Sequence, residues 1–99
     1  MSVAEDPVKV LVQRVARYLR SQPLASDTAE GIARWWLGVD WVDNEFALLA
    51  ALAWLQSSGC IEGSRGPDGR VRYRQVQAGD TGARLEAIAQ GRFEAPPPG

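Results

Sequence analysis

Histidine is absent from this 99-residue chain, and cysteine occurs once, at Cys60. Without histidine, the chain cannot use imidazole as a general acid–base group or as a metal ligand. A single cysteine cannot form an intramolecular disulfide or supply a cysteine-rich zinc site, and it fits a reducing cytoplasm. We therefore expect a protein that is not an enzyme, without catalytic residues, cofactor or metal site, in which Cys60 is a core residue beside Ile61.

Long hydrophobic runs are also missing. The longest apolar run covers ten residues, Phe46–Leu55, and a helix that crosses a bilayer needs about 20. The N-terminal sequence MSVAEDPVKV has neither the basic segment nor the apolar segment of a signal peptide. We expect a cytoplasmic protein with no membrane partner.

The chain has no strong excess of either charge, with a net charge of −1 and 45% hydrophobic residues, which is ordinary for one globular domain. The charges are nevertheless unevenly distributed. Residues 26–60 contain one arginine and five carboxylates, a net charge of −4, whereas residues 62–74 contain four arginines and two carboxylates, a net charge of +2. Only the second segment is expected to attract a polyanion.

Helical periodicity dominates the sequence as far as Gly59. Asp6–Pro7 is typical of a helix start, and Pro23 ends the apolar pattern that follows. A second helix is predicted to close at Gly38 in a left-handed conformation, and a third to begin after Asp43 as its N-cap. These spacings predict a bundle of three helices.

After Gly59 the apolar pattern becomes strand-like. The predicted elements are strands over 60–62 and 71–76, a tight turn over 66–69, a helix over 80–92 and a disordered tail over 93–99. The fold class is thus α+β and mainly α, with a domain over 1–79 in which a β-hairpin follows the bundle. The short C-terminal helix is expected to pack on the first helix.

Three helices followed by a hairpin resemble the winged helix-turn-helix superfamily, as in small bacterial repressors of the MarR and penicillinase-repressor types. The matching segments are TAEGIARWWLG for the second helix and ALLAALAWLQSSGCIEGSRGPDGRVRYR for the third helix and hairpin. Leu55, Gly59 and Ile61 occupy the leucine, glycine and isoleucine positions at which such third helices end. The resemblance covers roughly residues 8–77 and implies a DNA-binding transcription regulator whose third helix reads the duplex.

The third helix departs from that family, because alanine stands where a reading helix has polar or basic side chains. Its predicted core face comprises Leu48, Leu49, Leu52 and Leu55. Its opposite face comprises Ala47, Ala50, Ala51 and Trp54, and we interpret this face as a docking surface for a protein partner or a second copy. The alternative is that the helix is apolar all round because the first and last helices cover it. Insertion into the major groove is disfavoured by Asp43 and Glu45.

Arginines give the strongest nucleic-acid signal in the sequence. Three alternate along the second predicted strand and one lies near the hairpin tip: Arg70, Arg72, Arg74 and Arg65. They predict either a solvated face that protects a strand edge or a set of phosphate contacts, which Lys9, Arg17 and Arg20 of the first helix would support.

The leading hypothesis is a small cytoplasmic winged-helix module that associates with itself or with a protein partner through its third helix. The alternative is a transcription regulator that contacts duplex DNA mainly through its basic hairpin. No small-molecule substrate is evident from the sequence.

Overall fold

The computed structural model describes residues 6–93 of the chain. It is an α+β domain, mainly helical, in which four helices pack with a three-stranded antiparallel sheet. In chain order the elements are α1 (Pro7–Ser21), β1 (Ser26–Thr28), α2 (Ala29–Gly31, continued by a π-helical segment over Ile32–Trp36), α3 (Trp41–Ser57), β2 (Ile61–Arg65), β3 (Val71–Gln75) and α4 (Thr81–Ala89). Of the predicted tail, 94–99 lies outside the described residues.

Helix α1 begins where its sequence predicts. The Asp6 carboxylate accepts a hydrogen bond from the backbone N–H of Val8 at 2.9 Å, and Pro7 occupies the first turn. This cap satisfies one of the amide groups that a helix start leaves unpaired. The apolar spacing of α1 then places Leu11, Val15 and Leu19 in the core.

Helix α2 is preceded by a strand that the sequence analysis did not predict. Ser26–Thr28 forms β1, and Thr28 caps α2 by accepting a hydrogen bond from Gly31 N–H at 3.1 Å. A Cβ at Gly31 would clash with the Asp27 carboxylate, so any larger residue here requires that side chain to move. The π-helical turn that follows is closed by a bond from Leu37 N–H to Ile32 O at 3.0 Å.

Helix α3 starts three residues earlier than predicted. Asp40, rather than Asp43, is the N-cap, and its carboxylate accepts a hydrogen bond from the backbone N–H of Asp43 at 3.0 Å. Both aspartates are acceptable caps by residue type, so propensity alone could not distinguish them. The preceding Gly38 has φ 65°, the left-handed conformation expected at the end of α2.

The sheet has the strand order β1–β3–β2, so the central strand β3 pairs with both others. Tyr73 on β3 lies opposite Asp27 of β1 and Gly63 of β2. The predicted turn between β2 and β3 is confirmed, since Gly69 N–H donates to Gly66 O at 3.0 Å. Arg72 and Arg74 lie on the exposed face of β3.

The core lies between α1, α3, α4 and the π-helical segment of α2. Its fully buried members include Val15, Leu19, Ile32, Leu52 and Leu85. Helix α4 packs along α1, and both Gln13 Nε2 and Arg17 Nε donate hydrogen bonds to Ala89 O, at 3.0 and 3.1 Å. These bonds satisfy the last carbonyl of α4, where a helix end carries partial negative charge.

Candidate functional site

An apolar stripe runs along the exposed side of α3. Its large members are Phe46, Val42 and Leu49, which are 89%, 81% and 39% exposed. The remaining members, Ala50 and Ala53, are also exposed. Spacings of three and four residues place all five on one side of the helix. We call these five residues the apolar stripe; their side chains are large near the start of α3 and small near its end.

The docking face predicted from the sequence lies about 100° from this stripe, one residue step round the helix. Ala51 is fully buried, and Ala47 and Trp54 are half-buried against the core, so Ala50 alone of the predicted set is exposed. Leu49, predicted to be a core residue, belongs instead to the exposed stripe. The surface available for docking is therefore different from the predicted one.

Trp54 is covered by the end of the described chain. The ring of Phe93 lies 5.2 Å from that of Trp54, centroid to centroid, and Lys9 Nζ lies 5.8 Å from the Phe93 ring centre. The sequence analysis assigned Phe93 to a disordered tail. It is placed here because α4 packs on α1 and brings the residues after it to the edge of α3.

The hairpin arginines are less available than their sequence suggests. Arg74 Nε lies 2.9 Å from Glu62 Oε2, and Arg72 Nη2 lies 3.2 Å from Asp68 Oδ2. The hydrogen bond from Arg72 lowers the pKa of the Asp68 carboxyl, and the backbone N–H of Arg70 adds to the effect. Two of the four predicted phosphate-binding side chains thus already have carboxylate partners.

The other two hairpin arginines are without carboxylate partners among residues 6–93. Arg65 Nη1 donates to Gly69 O at 3.1 Å, which braces the turn. Arg70 borders a pocket that also includes Asp27, Glu30 and the exposed Trp35. The positive charge of the hairpin is therefore partly neutralised by its own acidic residues and by those of its neighbours.

Three basic side chains of α1 contact the C-terminal segment. Arg17 donates to Ala89 O, and Arg20 Nε lies 3.2 Å from Glu86 Oε1. Lys9 lies over Phe93. These contacts show that the basic side of α1 holds the C-terminal segment, which reduces the support that it was expected to give to DNA binding.

Cys60 is fully buried, as predicted. Burial raises the pKa of its thiol, so the side chain is neutral at pH 7, although the charge of Arg84 opposes this shift. A neutral buried thiol is a poor nucleophile. No cluster of three or more potential metal ligands exists within residues 6–93. In the same range, no helix is both long and apolar enough to cross a bilayer.

Comparisons with models of protein families, with curated proteins and with solved structures find no match to this chain.

The sequence analysis missed Phe46, Val42 and Ala53 as surface residues. One signal pointed to them: Val42, Phe46, Leu49 and Ala53 follow a spacing of four, three and four residues, which is the repeat of helices that pack against another helix. The placement of Trp54 could not be read in this way, because the residue that covers it lies 39 positions later in the chain.

Proposed function

We propose that this chain is a winged-helix domain that associates with a second copy of itself through the apolar stripe of α3. Support for the winged-helix assignment comes from the order of elements, in which a β-hairpin follows three helices. It also comes from the four residues, 37–40, that join α2 to α3, which is the length typical of a helix-turn-helix. The role in association rests on the stripe itself.

The observation that carries the proposal is the exposure of Phe46. A phenylalanine that is 89% exposed, with Val42 on the same side at 81%, leaves a contiguous apolar surface that monomeric proteins rarely keep without a use. Burying a side chain of this size stabilises a complex by about 1.5–3 kcal/mol. Aromatic residues are also frequent anchors of protein interfaces.

A second copy fits this surface because the side chains of the stripe decrease in size from the start of α3 to its end. In an antiparallel pair related by a two-fold axis, the large first half of one α3 meets the small second half of the other. Centred between Leu49 and Ala50, this arrangement places Phe46 opposite Ala53 of the second copy and Leu49 opposite its Ala50. The alanines allow the close approach of 8–10 Å between axes that packed helices adopt.

The charges on α3 favour the same antiparallel arrangement. Asp43 and Glu45 are exposed near the start of the helix, and its second half has no charged residue. In an antiparallel pair, Asp43 of one copy lies opposite Gln56 of the other. The two Asp43 residues are then about 20 Å apart along the helix axes, beyond the Debye length of about 8 Å at physiological salt. A parallel pair would bring the acidic ends together.

The expected complex is weak. Three large side chains from each copy, Val42, Phe46 and Leu49, offset an association cost of about 4–15 kcal/mol. A single helix stripe is also smaller than the roughly 800 Å² per partner that stable interfaces bury. We therefore expect a dissociation constant of roughly tens to hundreds of micromolar.

Sedimentation velocity over a range of about 5–500 µM, which brackets the affinity of a small interface, tests this proposal. The wild-type protein should change from monomer to dimer as its concentration rises. Phe46→Glu should remain monomeric throughout. Leu24→Glu is the matched control, because Leu24 is 85% exposed but lies outside α3, and it should dimerise like the wild type. A wild-type protein that stays monomeric, or a Phe46→Glu variant that still dimerises, would rule out the proposal.

The alternative function, duplex binding through the hairpin, has less support because Arg72 and Arg74 are paired with carboxylates. A titration with non-specific duplex at low salt separates the two functions. Binding through Arg65 and Arg70 alone would be weak and only moderately dependent on salt. A steep salt dependence that is lost on replacing Arg70, Arg72 and Arg74 with alanine would favour the regulator.

A further inference from the structure

A second surface, on the side of α1 that faces the end of α2, combines positive charge with aromatic rings. An open pocket of about 290 Å³ is lined by Arg14, Arg17, Tyr18, Trp36 and Leu37. On α1, Arg14 lies three positions before Arg17 and four before Tyr18, so both of these residues lie beside it on the helix surface. None of the lining residues carries a carboxylate.

Each arginine of this pocket is held in place by one bond to a carbonyl oxygen. Arg14 Nη2 donates to Leu37 O at 2.6 Å, and Arg17 Nε donates to Ala89 O at 3.1 Å. A carbonyl carries no full charge, and even the helix-end carbonyl of Ala89 carries only a partial negative charge, so these bonds orient the guanidinium groups and leave most of their positive charge uncompensated. Neither arginine forms a salt bridge with any residue in the range 6–93. A guanidinium has five N–H donors, so each retains donors for a ligand.

The apolar part of the pocket is formed by packed side chains. The rings of Tyr18 and Trp36 are stacked, with centroids 4.7 Å apart and planes 10° from parallel. Leu37, which completes the lining, is buried. Ordered side chains of this kind reduce the entropy that a ligand must offset when it binds.

We propose that this pocket binds a phosphate monoester whose organic group is flat or apolar. At pH 7 a phosphate monoester carries a charge of about −1.5 to −2, which matches the two guanidinium groups. Guanidinium donors also fit phosphate oxygens in a bidentate geometry. The organic group would lie against Trp36, Tyr18 and Leu37. This proposal is independent of the apolar stripe, which belongs to α3.

The binding test is an NMR titration of the ¹⁵N-labelled protein with phenyl phosphate, followed at the indole N–H of Trp36. A saturable shift of this signal is expected. Inorganic phosphate should bind more weakly because it makes no apolar contact, and phenol should cause no saturable shift. Affinity for phenyl phosphate should also decrease as the pH falls below about 6, where the ester loses its second negative charge. Absence of a saturable shift with phenyl phosphate would overturn the proposal.

Two arginine variants and one control locate the site. Arg14→Gln and Arg17→Gln should each weaken phenyl phosphate binding about tenfold, the size of one charge-assisted hydrogen bond. Arg74→Gln changes the net charge by the same amount on the hairpin and should alter binding less than about twofold, because exposed distant charges are screened. Arg17 is exposed, so its replacement leaves no cavity in the core even if Arg14→Gln folds poorly, and Gln13 still donates to Ala89 O when the bond from Arg17 is lost. Equal weakening by all three variants would overturn the proposal.

The source of the phosphate is distinguished by a second probe, a neutral peptide that contains phosphotyrosine. Tighter binding of the peptide than of phenyl phosphate indicates a phosphorylated protein side chain as the ligand. Equal or weaker binding indicates a small phosphorylated molecule. Both results retain the phosphate site, whereas failure of the proposed dimer would affect neither titration.

Discussion

Two flanks of α3 are composed of nearly the same kinds of residue and have opposite surroundings. On one flank, Trp54 and Ala47 are half-buried, and Phe93 lies against Trp54. On the other flank, Phe46 and Val42 are more than 80% exposed. Within residues 6–93, the first flank packs against the core and Phe93, whereas the second flank leaves Phe46 and Val42 at the surface. An apolar helix therefore does not reveal from its own sequence which side a distant segment will cover.

The largest expected effect is a difference in the free energy of unfolding between one alanine substitution on each flank of α3. Trp54→Ala should reduce the free energy of unfolding by about 2–4 kcal/mol, somewhat less than for a fully buried tryptophan, because contacts with the core and Phe93 are lost. Phe46→Ala should change it by less than about 0.5 kcal/mol, since an exposed side chain makes few contacts. Urea denaturation below the dimerisation concentration measures both. Equal losses for the two variants would show that the two flanks of α3 do not differ in burial.

The second effect concerns the residue that covers Trp54. Phe93→Ala should reduce the free energy of unfolding by about 1–2 kcal/mol, which combines lost burial with the ring–ring contact. It should also increase the binding of a hydrophobic dye, because Trp54 becomes more exposed. Arg92→Ala, at the adjacent exposed position, serves as the control. Unchanged stability and unchanged dye binding would mean that Phe93 does not protect Trp54 in solution.

A smaller effect isolates the contact between the two rings. A double-mutant cycle with Trp54→Ala and Phe93→Ala should give a coupling energy of about 0.5–1.5 kcal/mol, as for other aromatic pairs. The same cycle with Phe46→Ala in place of Trp54→Ala should give additive losses, because Phe46 lies on the exposed flank. Coupling between Phe46 and Phe93 would show that the C-terminal segment also reaches the apolar stripe.

The smallest effect is the pH dependence of the α4 contact with α1. A hydrogen bond from Gln90 is the main cause that lowers the pKa of Glu86, and the bond from Arg20 adds to it. A carboxyl whose pKa is lowered in the folded state stabilises the fold above its unfolded pKa and loses this contribution as the pH falls through the lowered value. The contribution of Glu86 to the free energy of unfolding should therefore begin to decrease below about pH 4, where the glutamate of the unfolded chain takes up its proton, and should disappear as the folded carboxyl is protonated at its lowered pKa.

Carbon-13 NMR titration of the Glu86 carboxyl measures this shift. Gln90→Ala should raise the pKa of Glu86 towards its ordinary value, and Arg20→Gln should raise it by less. An opposite ranking of the two variants would mean that the ion pair with Arg20, rather than the bond from Gln90, dominates.

Several elements of the fold were predictable because their signals are local. The start of α1 at Asp6–Pro7, the left-handed Gly38 and the turn at Gly66–Gly69 depend on the conformational preferences of one to four adjacent residues. Strand β1 was not predictable in this way. Its sequence, Ser-Asp-Thr, is polar and short, and it becomes a strand only because β3 supplies hydrogen-bonding partners.

The exposed apolar residues of α3 differ from those that the sequence indicated. The alanine-rich third helix was recognised as an unusual surface, and its apolar stripe is exposed, yet only Ala50 of the four proposed docking residues lies in that stripe. The hairpin arginines were recognised as a basic group, but their pairing with Asp68 and Glu62 depends on the register of β2 and β3 and on the turn between them.

The sequence by itself determined the start of α1, the hairpin turn and the exclusion of histidine and intramolecular disulfide chemistry, because each depends on residue type or on short-range spacing. Only the tertiary structure decided three outcomes: which flank of α3 is covered, which residues the basic side chains of α1 contact, and which hairpin arginines are paired with carboxylates. The first two outcomes depend on contacts between segments tens of residues apart, such as Trp54 with Phe93 and Arg20 with Glu86. The third depends on the turn and register of the hairpin, because Arg72 pairs with Asp68 and Arg74 with Glu62. No local pattern encodes the partner in such a contact.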